Sequence, residues 1–203
     1  VAYYRASNNV FSVLLNNGSG GFNGPINFPI ENYSAFIASS DLNGDGKPDL
    51  IVGGSGQNAV TILAGDGTGS FTVASTLSVG SFENGERIVI TDFNQDGKSD
   101  LAISLTYDTL ILLGDGKGKF TQSAKLSRGR TFTVGDFNAD GKPDVAFYGF
   151  GQAEVYLGNG SGGFGSAIRT SSGGGDVFQL RAMDVNEDGK MDLIVLNSSP
   201  GRS

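Results

Sequence analysis

The sequence predicts an all-β fold, a β-propeller of four-stranded antiparallel blades with about four repeats visible. Three observations carry this. A nine-residue acidic phrase recurs four times, its starts 51, 44 and 48 residues apart, and a period of 20–50 residues marks a solenoid, propeller or array. A glycine-rich hexapeptide ending in Phe alternates with it in constant phase. Between the two, the chain consists of short runs rich in Val, Ile, Leu, Phe and Thr, bounded by Gly, Asn, Asp and Ser, and no segment has helical periodicity.

Each repeat offers four strands. An A strand precedes the acidic phrase (35–42, 87–93, 131–137, 179–185), and a B strand leaves it as a nearly unbroken apolar run (50–52, 101–103, 145–148, 193–196). Unbroken runs imply burial on both faces. The C strands (10–15, 59–63, 109–113, 154–157) end at Asn-Gly or Asp-Gly pairs, which accept the positive φ of tight hairpins. The D strands follow the Phe of Asn17-Gly-Ser-Gly-Gly-Phe22, Asp66-Gly-Thr-Gly-Ser-Phe71, Asp115-Gly-Lys-Gly-Lys-Phe120 and Asn159-Gly-Ser-Gly-Gly-Phe164. Four antiparallel strands per roughly 48 residues is the unit of a propeller blade. Val1-Ala-Tyr-Tyr4 aligns with Val145-Ala-Phe-Tyr148, so the tally is four A, five B, four C and four D strands. Residues 1–203 are therefore expected to be one propeller domain or part of one, either a window on a longer array or a chain that closes its ring by self-association.

Composition narrows the chemistry. Cysteine and histidine are absent, which removes disulfides, thiolate or imidazole metal sites and Ser-His or Cys-His catalysis. Any metal must be held by oxygen. With 21 acidic and 14 basic residues the net charge is −7, the wrong sign for a nucleic-acid or anionic-membrane partner, and no apolar run is long enough to span a bilayer. Any export signal is expected outside these residues. Glycine, at 33 residues, is in large excess without the period of collagen and is expected to build turns.

The acidic phrase reads Asp-x-Asn-x-Asp-Gly-x-x-Asp. Oxygen-bearing side chains at positions 1, 3, 5 and 9, a glycine permitting the sharp turn, and a backbone carbonyl at position 7 suit a hard cation such as Ca²⁺, which takes six to eight oxygens. Four sites follow: Asp41, Asn43, Asp45, Lys47 and Asp49; Asp92, Asn94, Asp96, Lys98 and Asp100; Asp136, Asn138, Asp140, Lys142 and Asp144; Asp184, Asn186, Asp188, Lys190 and Asp192, each lysine through its main-chain oxygen. Carboxylates crowded a few ångströms apart repel by roughly 4 kcal/mol per pair at an effective dielectric near 20, so the motif calls for a cation. Asx residues also cap turns without metal, but four copies that all keep the ninth-position Asp argue against turn chemistry alone. An EF-hand is excluded, because its twelfth position needs Glu and here holds Val52, Ile103, Phe147 and Val195.

On these motifs the chain resembles the FG-GAP/VCBS repeats of integrin-α-like propellers, over its whole length. The resemblance implies a propeller, often seven-bladed, with about four Ca²⁺ ions here, in loops joining the first two strands of successive blades. It implies a secreted or cell-surface protein related to looser microbial members rather than an integrin-type receptor, because the Phe-Gly and Gly-Ala-Pro signatures are reduced to fragments such as Gly21-Phe22.

The function expected is a non-catalytic, calcium-stabilised module for extracellular binding or adhesion to a protein or glycan. Alternatives are an accessory domain of a secreted carbohydrate-active or other hydrolytic enzyme, and a structural spacer of a surface protein. Loops on a rigid scaffold carry recognition, and Tyr107, Phe150 and Phe82 lie near loop ends, although packing between blades explains each of them better. The one carboxylate pair outside the acidic phrases that could act in general acid–base chemistry is Glu83 and Glu86, for which a solvated loop is the better account. Asn-x-Ser sequons stand at Asn17, Asn32, Asn159 and Asn197, the first and third explained by hairpin chemistry.

Overall fold

The computed structural model describes residues 2–5, 10–29, 36–53, 58–80, 87–127, 131–149, 151–171 and 177–197. Among them there are seventeen strands and no helix, in five antiparallel sheets whose strands follow chain order. The first sheet holds β1 (Ala2–Arg5), β2 (Val10–Val13) and β3 (Ile26–Pro29). Three four-stranded blades follow: β4 (Phe36–Ser40), β5 (Asp49–Gly53), β6 (Ala59–Gly65) and β7 (Phe71–Ser78); β8 (Ile88–Thr91), β9 (Asp100–Ser104), β10 (Thr109–Gly114) and β11 (Phe120–Leu126); β12 (Phe132–Gly135), β13 (Asp144–Gly149), β14 (Gln152–Tyr156) and β15 (Ile168–Ser171). β16 (Val177–Met183) and β17 (Asp192–Asn197) form a two-stranded sheet. This is the expected series, with four A, five B, four C and four D strands.

The apolar runs after the acidic phrases explain where the core sits. β5 and β9 are buried at every position and β13 at five of six, because each is flanked by strands on both edges and covered on both faces. β17 departs from that expectation: Ile194 and Leu196 are 40% and 58% exposed, since β16 is its one partner among the described strands. The D strands β7 and β11 are made of exposed and half-buried residues apart from buried Leu126, as outer strands are. Phe71 and Phe120 begin their D strands, whereas Phe22 and Phe164 make single bridges to Asn16 and Gly158. In those two hairpins Gly24-Pro25 and Gly165-Ser166 interrupt the ladder before β3 and β15 resume it. Pro25 has no N–H to give.

The chain forms two compact units. One comprises residues 1–84 with the hairpin tip 115–119, the other residues 85–114 with 120–203. In the first, Phe11, Leu50, Val52 and Leu63 are buried together, and the rings of Phe11 and Phe28, cross-strand neighbours, stack at 4.8 Å with Phe71 edge-on to both. In the second, Phe93, Ala102, Ile111, Leu126, Phe132, Val145 and Phe147 form the core. Each large apolar side chain withdrawn from water contributes about 1.5–3 kcal/mol, which holds the loops between strands on fixed stems.

Candidate metal centres on four repeated loops

All four acidic loops join an A strand to a B strand and adopt the same backbone. Position 6 is glycine at positive φ (Gly46 79°, Gly97 81°, Gly141 82°, Gly189 83°), and position 4 is also left-handed, as Gly44 (78°), Gln95 (59°), Ala139 (58°) and Glu187 (60°). Two left-handed residues in so short a span turn the chain back on itself, so that amides point inward at the acids. The N–H of Gly46, Gly97, Gly141 and Gly189 donates to the position-1 carboxylate at 2.7–2.8 Å. The N–H of residue 5 donates to the position-3 Asn oxygen in Asn43, Asn94, Asn138 and Asn186. The N–H of residue 7 donates to the position-5 carboxylate at 2.9–3.0 Å in Asp45, Asp96, Asp140 and Asp188.

The ninth-position aspartate does something its spacing does not reveal. Asp49, Asp100 and Asp144 are buried at the first position of their B strands. One oxygen of each accepts the N–H of loop position 2 (Leu42, Phe93, Phe137) at 2.8–3.0 Å. The other accepts the N–H of a glycine at the end of the C strand (Gly65, Gly114) or two residues past it (Gly158) at 2.7–2.9 Å. A Cβ on any of those glycines would collide with the carbonyl of loop position 8 (Pro48, Ser99, Pro143), so glycine is required by close approach rather than by turn conformation. Asp192 differs. It is half-buried and accepts the N–H of Val185 at 3.1 Å.

Position 2 is a second feature missed in the sequence, where it read as a variable letter. Leu42 and Phe93 are 2% exposed, and Phe93 packs edge-on against Phe164 of the hairpin 159–164, so in these two loops the residue plugs the loop into its unit, whereas Phe137 is half-buried and Val185 is 56% exposed.

Charge in the loops is finely balanced. Asp41 and Asp184 are held below the ordinary carboxylate range, chiefly by the N–H of Gly46 and Gly189. Asp96 and Asp140 are lowered chiefly by Lys98 and Lys142, whose ammonium groups sit 3.0 Å away. Asp100 and Asp144 are pushed up by burial, with added repulsion from Asp92 in the first case and from Asp140 and Asp136 in the second. That repulsion shows the acids of one loop sense one another.

The donor set suits a hard cation in chemistry and in backbone path, being carboxylate and amide oxygen on a chain wrapped around them. Yet among the described residues no three carboxylates are grouped so that they could hold a metal ion as they stand. The reason is visible in the bonds: positions 1 and 9 are turned onto amides, and position 5 onto the ammonium of the position-7 lysine in three loops, while Asp45 accepts from Asn43 Nδ2. The position-1 oxygens that accept the glycine N–H of position 6 each hold one such bond and keep a second lone pair for a cation, whereas Asp49 Oδ1 and Asp100 Oδ2 already accept two donors each.

Among the other residues singled out in the sequence, Tyr107 lies in the β9–β10 turn and is 79% exposed, which removes packing as its explanation. Phe82, Phe150, Glu83, Glu86 and Asn32 lie outside the described residues. Asn17 and Asn159 form the hairpin tips, where their Oδ1 accepts the N–H of Ser19 and Ser161, as Asp66 and Asp115 do for Thr68 and Lys117.

The profile of FG-GAP-like repeats matches residues 1–52, 41–103 and 136–195, most of the chain. The chain belongs to this family. No curated protein matches the sequence. Among solved structures, this FG-GAP-like chain is similar to an Agrocybe aegerita lectin studied for specific recognition of non-reducing terminal N-acetylglucosamine, with TM-score 0.59, 19% identity, and coverage of 81% of this chain and 47% of the lectin. It is also similar to the Tc holotoxin pore of Photorhabdus luminescens (TM-score 0.48, 17% identity, 100% of this chain and 13% of that one) and to TcdB2-TccC3 (0.46, 16%, 96% and 13%). The FG-GAP-like chain thus spans about half the length of the lectin and far less of the toxins. At such identity the lectin likeness speaks for the fold alone, an all-β propeller type.

Proposed function

We propose that the protein is a non-catalytic, calcium-stabilised binding module that works outside the cell and presents its loops to a glycan or protein ligand. The observation that carries this is the fourfold recurrence of one loop, with the same backbone and the same oxygen donors at positions 1, 3, 5 and 9. In each loop the three aspartates, the asparagine and the position-7 carbonyl would hold one ion. A bound Ca²⁺ would supply positive charge that offsets carboxylate repulsion and ties the A–B connection; four would turn the net charge of −7 into +1. Asp49, Asp100 and Asp144 anchor each loop to its C strand, while Lys98 and Lys142 hold the position-5 acid in the absence of an ion. Weak calcium sites of ~10⁻⁴–10⁻³ M suit extracellular concentrations, which favours that location.

Thermal melts in millimolar Ca²⁺ and in chelator, with a count of bound ions, test the calcium reading. A raised midpoint with close to four ions is expected, each site adding about 2.7 kcal/mol at a hundredfold excess over Kd. No shift and no bound ion would overturn it. The lectin likeness makes N-acetylglucosamine-terminated glycans the first probe for the ligand, on an immobilised chain in calcium. Absence of retention across a glycan array and a matrix-protein panel would leave a spacer role instead.

A further inference from the structure

Loop 41–49 differs from its three counterparts at position 4 in a way that bears on chemistry. Position 4 follows the position-3 asparagine, and it is Gly44 here against Gln95, Ala139 and Glu187 elsewhere. The backbone does not require that glycine, since the other three residues hold the same left-handed conformation. Glycine matters instead for the chemistry of the residue before it. The main-chain nitrogen after an asparagine is able to attack the side-chain amide carbon, and a side chain on that following residue shields the nitrogen.

The attacking Gly44 nitrogen donates its N–H to Asp41 Oδ1 at 2.7 Å, a carboxylate placed to take that proton as the nitrogen attacks. Asn43 Oδ1 accepts the N–H of Asp45 at 2.9 Å, an Asx turn that folds the side-chain carbonyl back over the Asn43–Gly44 peptide. The same hydrogen bond supports negative charge on that oxygen as the carbon becomes tetrahedral. Asn43 is part-exposed and Gly44 exposed, so water reaches both.

We propose that Asn43 is a site of spontaneous deamidation that converts the position-3 ligand of this loop from an amide to a carboxylate. The Gly44 nitrogen bonds to Asn43 Cγ, the Cγ–Nδ2 bond breaks, and the proton lost from the Gly44 nitrogen leaves with Nδ2 as ammonia. Water then opens the five-membered imide at one of its two carbonyls. Opening at the former side-chain linkage gives aspartate and a fourth carboxylate in the loop; opening at the main-chain carbonyl gives isoaspartate, which lengthens the backbone by one carbon. Resting on the calcium reading above, a bound ion that engages Asn43 Oδ1 protects the residue, so conversion belongs to the ion-free loop.

The molecule holds its own comparators. Asn17-Gly18 and Asn159-Gly160 make the same Asx turn at hairpin tips with no acidic loop around them. In the other hairpins Asp66 and Asp115 occupy the same place with the same bonds, so these tips accept aspartate. Asn94, Asn138 and Asn186 share the loop but lack the glycine.

The test incubates the whole chain at mildly alkaline pH in chelator and in millimolar Ca²⁺, then maps peptides for the amide-to-acid mass change and for isoaspartate. Conversion at Asn43, with Asn94, Asn138 and Asn186 intact, is expected in chelator. In calcium, conversion at Asn43 should fall severalfold while Asn17 and Asn159 are unaffected. G44A, which copies Ala139, should keep the circular dichroism spectrum and lose the conversion. An unconverted Asn43 in chelator, or conversion as fast in G44A as in the parent, overturns the proposal without touching the calcium reading. Equal conversion at Asn43 with and without calcium upholds the modification and removes the ion from this loop.

Discussion

Asp100 Oδ1 accepts the main-chain N–H of Gly114 at 2.7 Å, joining the first residue of β9 to the last of β10. Its second oxygen takes the N–H of Phe93 and, at 3.3 Å, that of Asn94, so one carboxylate satisfies three amides. Asp100→Asn puts an N–H₂ against an N–H and should destabilise the ion-free protein by about 1–3 kcal/mol in urea unfolding. Asp192→Asn, at a half-buried site with one such bond, should cost under about 0.5 kcal/mol. Equal costs would mean that the Asp100 tie contributes nothing.

The hairpin acids set a pH dependence of known sign. Asp66 is lowered chiefly by the N–H and hydroxyl of Thr68, and Asp115 chiefly by the N–H groups of Lys117 and Lys119. Their contribution is therefore fully present above the ordinary carboxylate range and is lost as pH falls through the lowered folded value. The double variant Asp66→Asn, Asp115→Asn should be less stable than the parent at neutral pH, and the two should converge at acid pH. Buried Asp100 and Asp144 act oppositely, since raised acids make the fold gain stability as pH falls toward their folded values. Carboxyl NMR titration in chelator should place these two above Asp66 and Asp115.

Lys98 and Lys142 occupy the position-5 acid at 3.0 Å and compete with a cation for it. Exposed pairs of this kind contribute about 0–1 kcal/mol, so the double Lys→Ala variant should bind Ca²⁺ more tightly by at most about fivefold at those loops. Titration calorimetry reads this directly; unchanged or weaker affinity would show that the lysines do not compete.

The second glycine of each hairpin offers a controlled pair. At Gly162, φ is 79° and a Cβ would press on Leu113 and Ser123, whose hydroxyl donates to Gly162 O at 2.9 Å. At Gly118, φ is 80° with open space around the same point. Gly118→Ala should cost about 1–2 kcal/mol for the left-handed backbone alone, and Gly162→Ala measurably more.

The strand series was legible because Asp-Gly and Asn-Gly pairs punctuate apolar runs at constant phase, and the B strands announced themselves by unbroken hydrophobicity. The oxygen-bearing residues of the loops were equally visible as residue types at fixed spacing. What stayed hidden depends on partners distant in sequence. Asp49 looked like a fourth ligand oxygen and is also the anchor of Gly65; Gly65 itself looked like part of a turn and is a point of contact with Pro48. The exposure of Leu196 on β17 was hidden too, since its sequence resembles the buried β5 and only the number of neighbouring strands distinguishes them.

The carboxylate ties span short stretches of chain: 16 residues from Asp49 to Gly65, and 14 from Asp100 to Gly114 and from Asp144 to Gly158. Contacts this local close quickly, well before long-range strand pairing must be found. Each blade therefore carries its own register gauge, able to set the B–C hairpin while the chain is still emerging from the ribosome. A repeat protein whose similar strands invite mispairing between blades gains from that order of events, because a hairpin locked at its base is no longer available to the wrong neighbour.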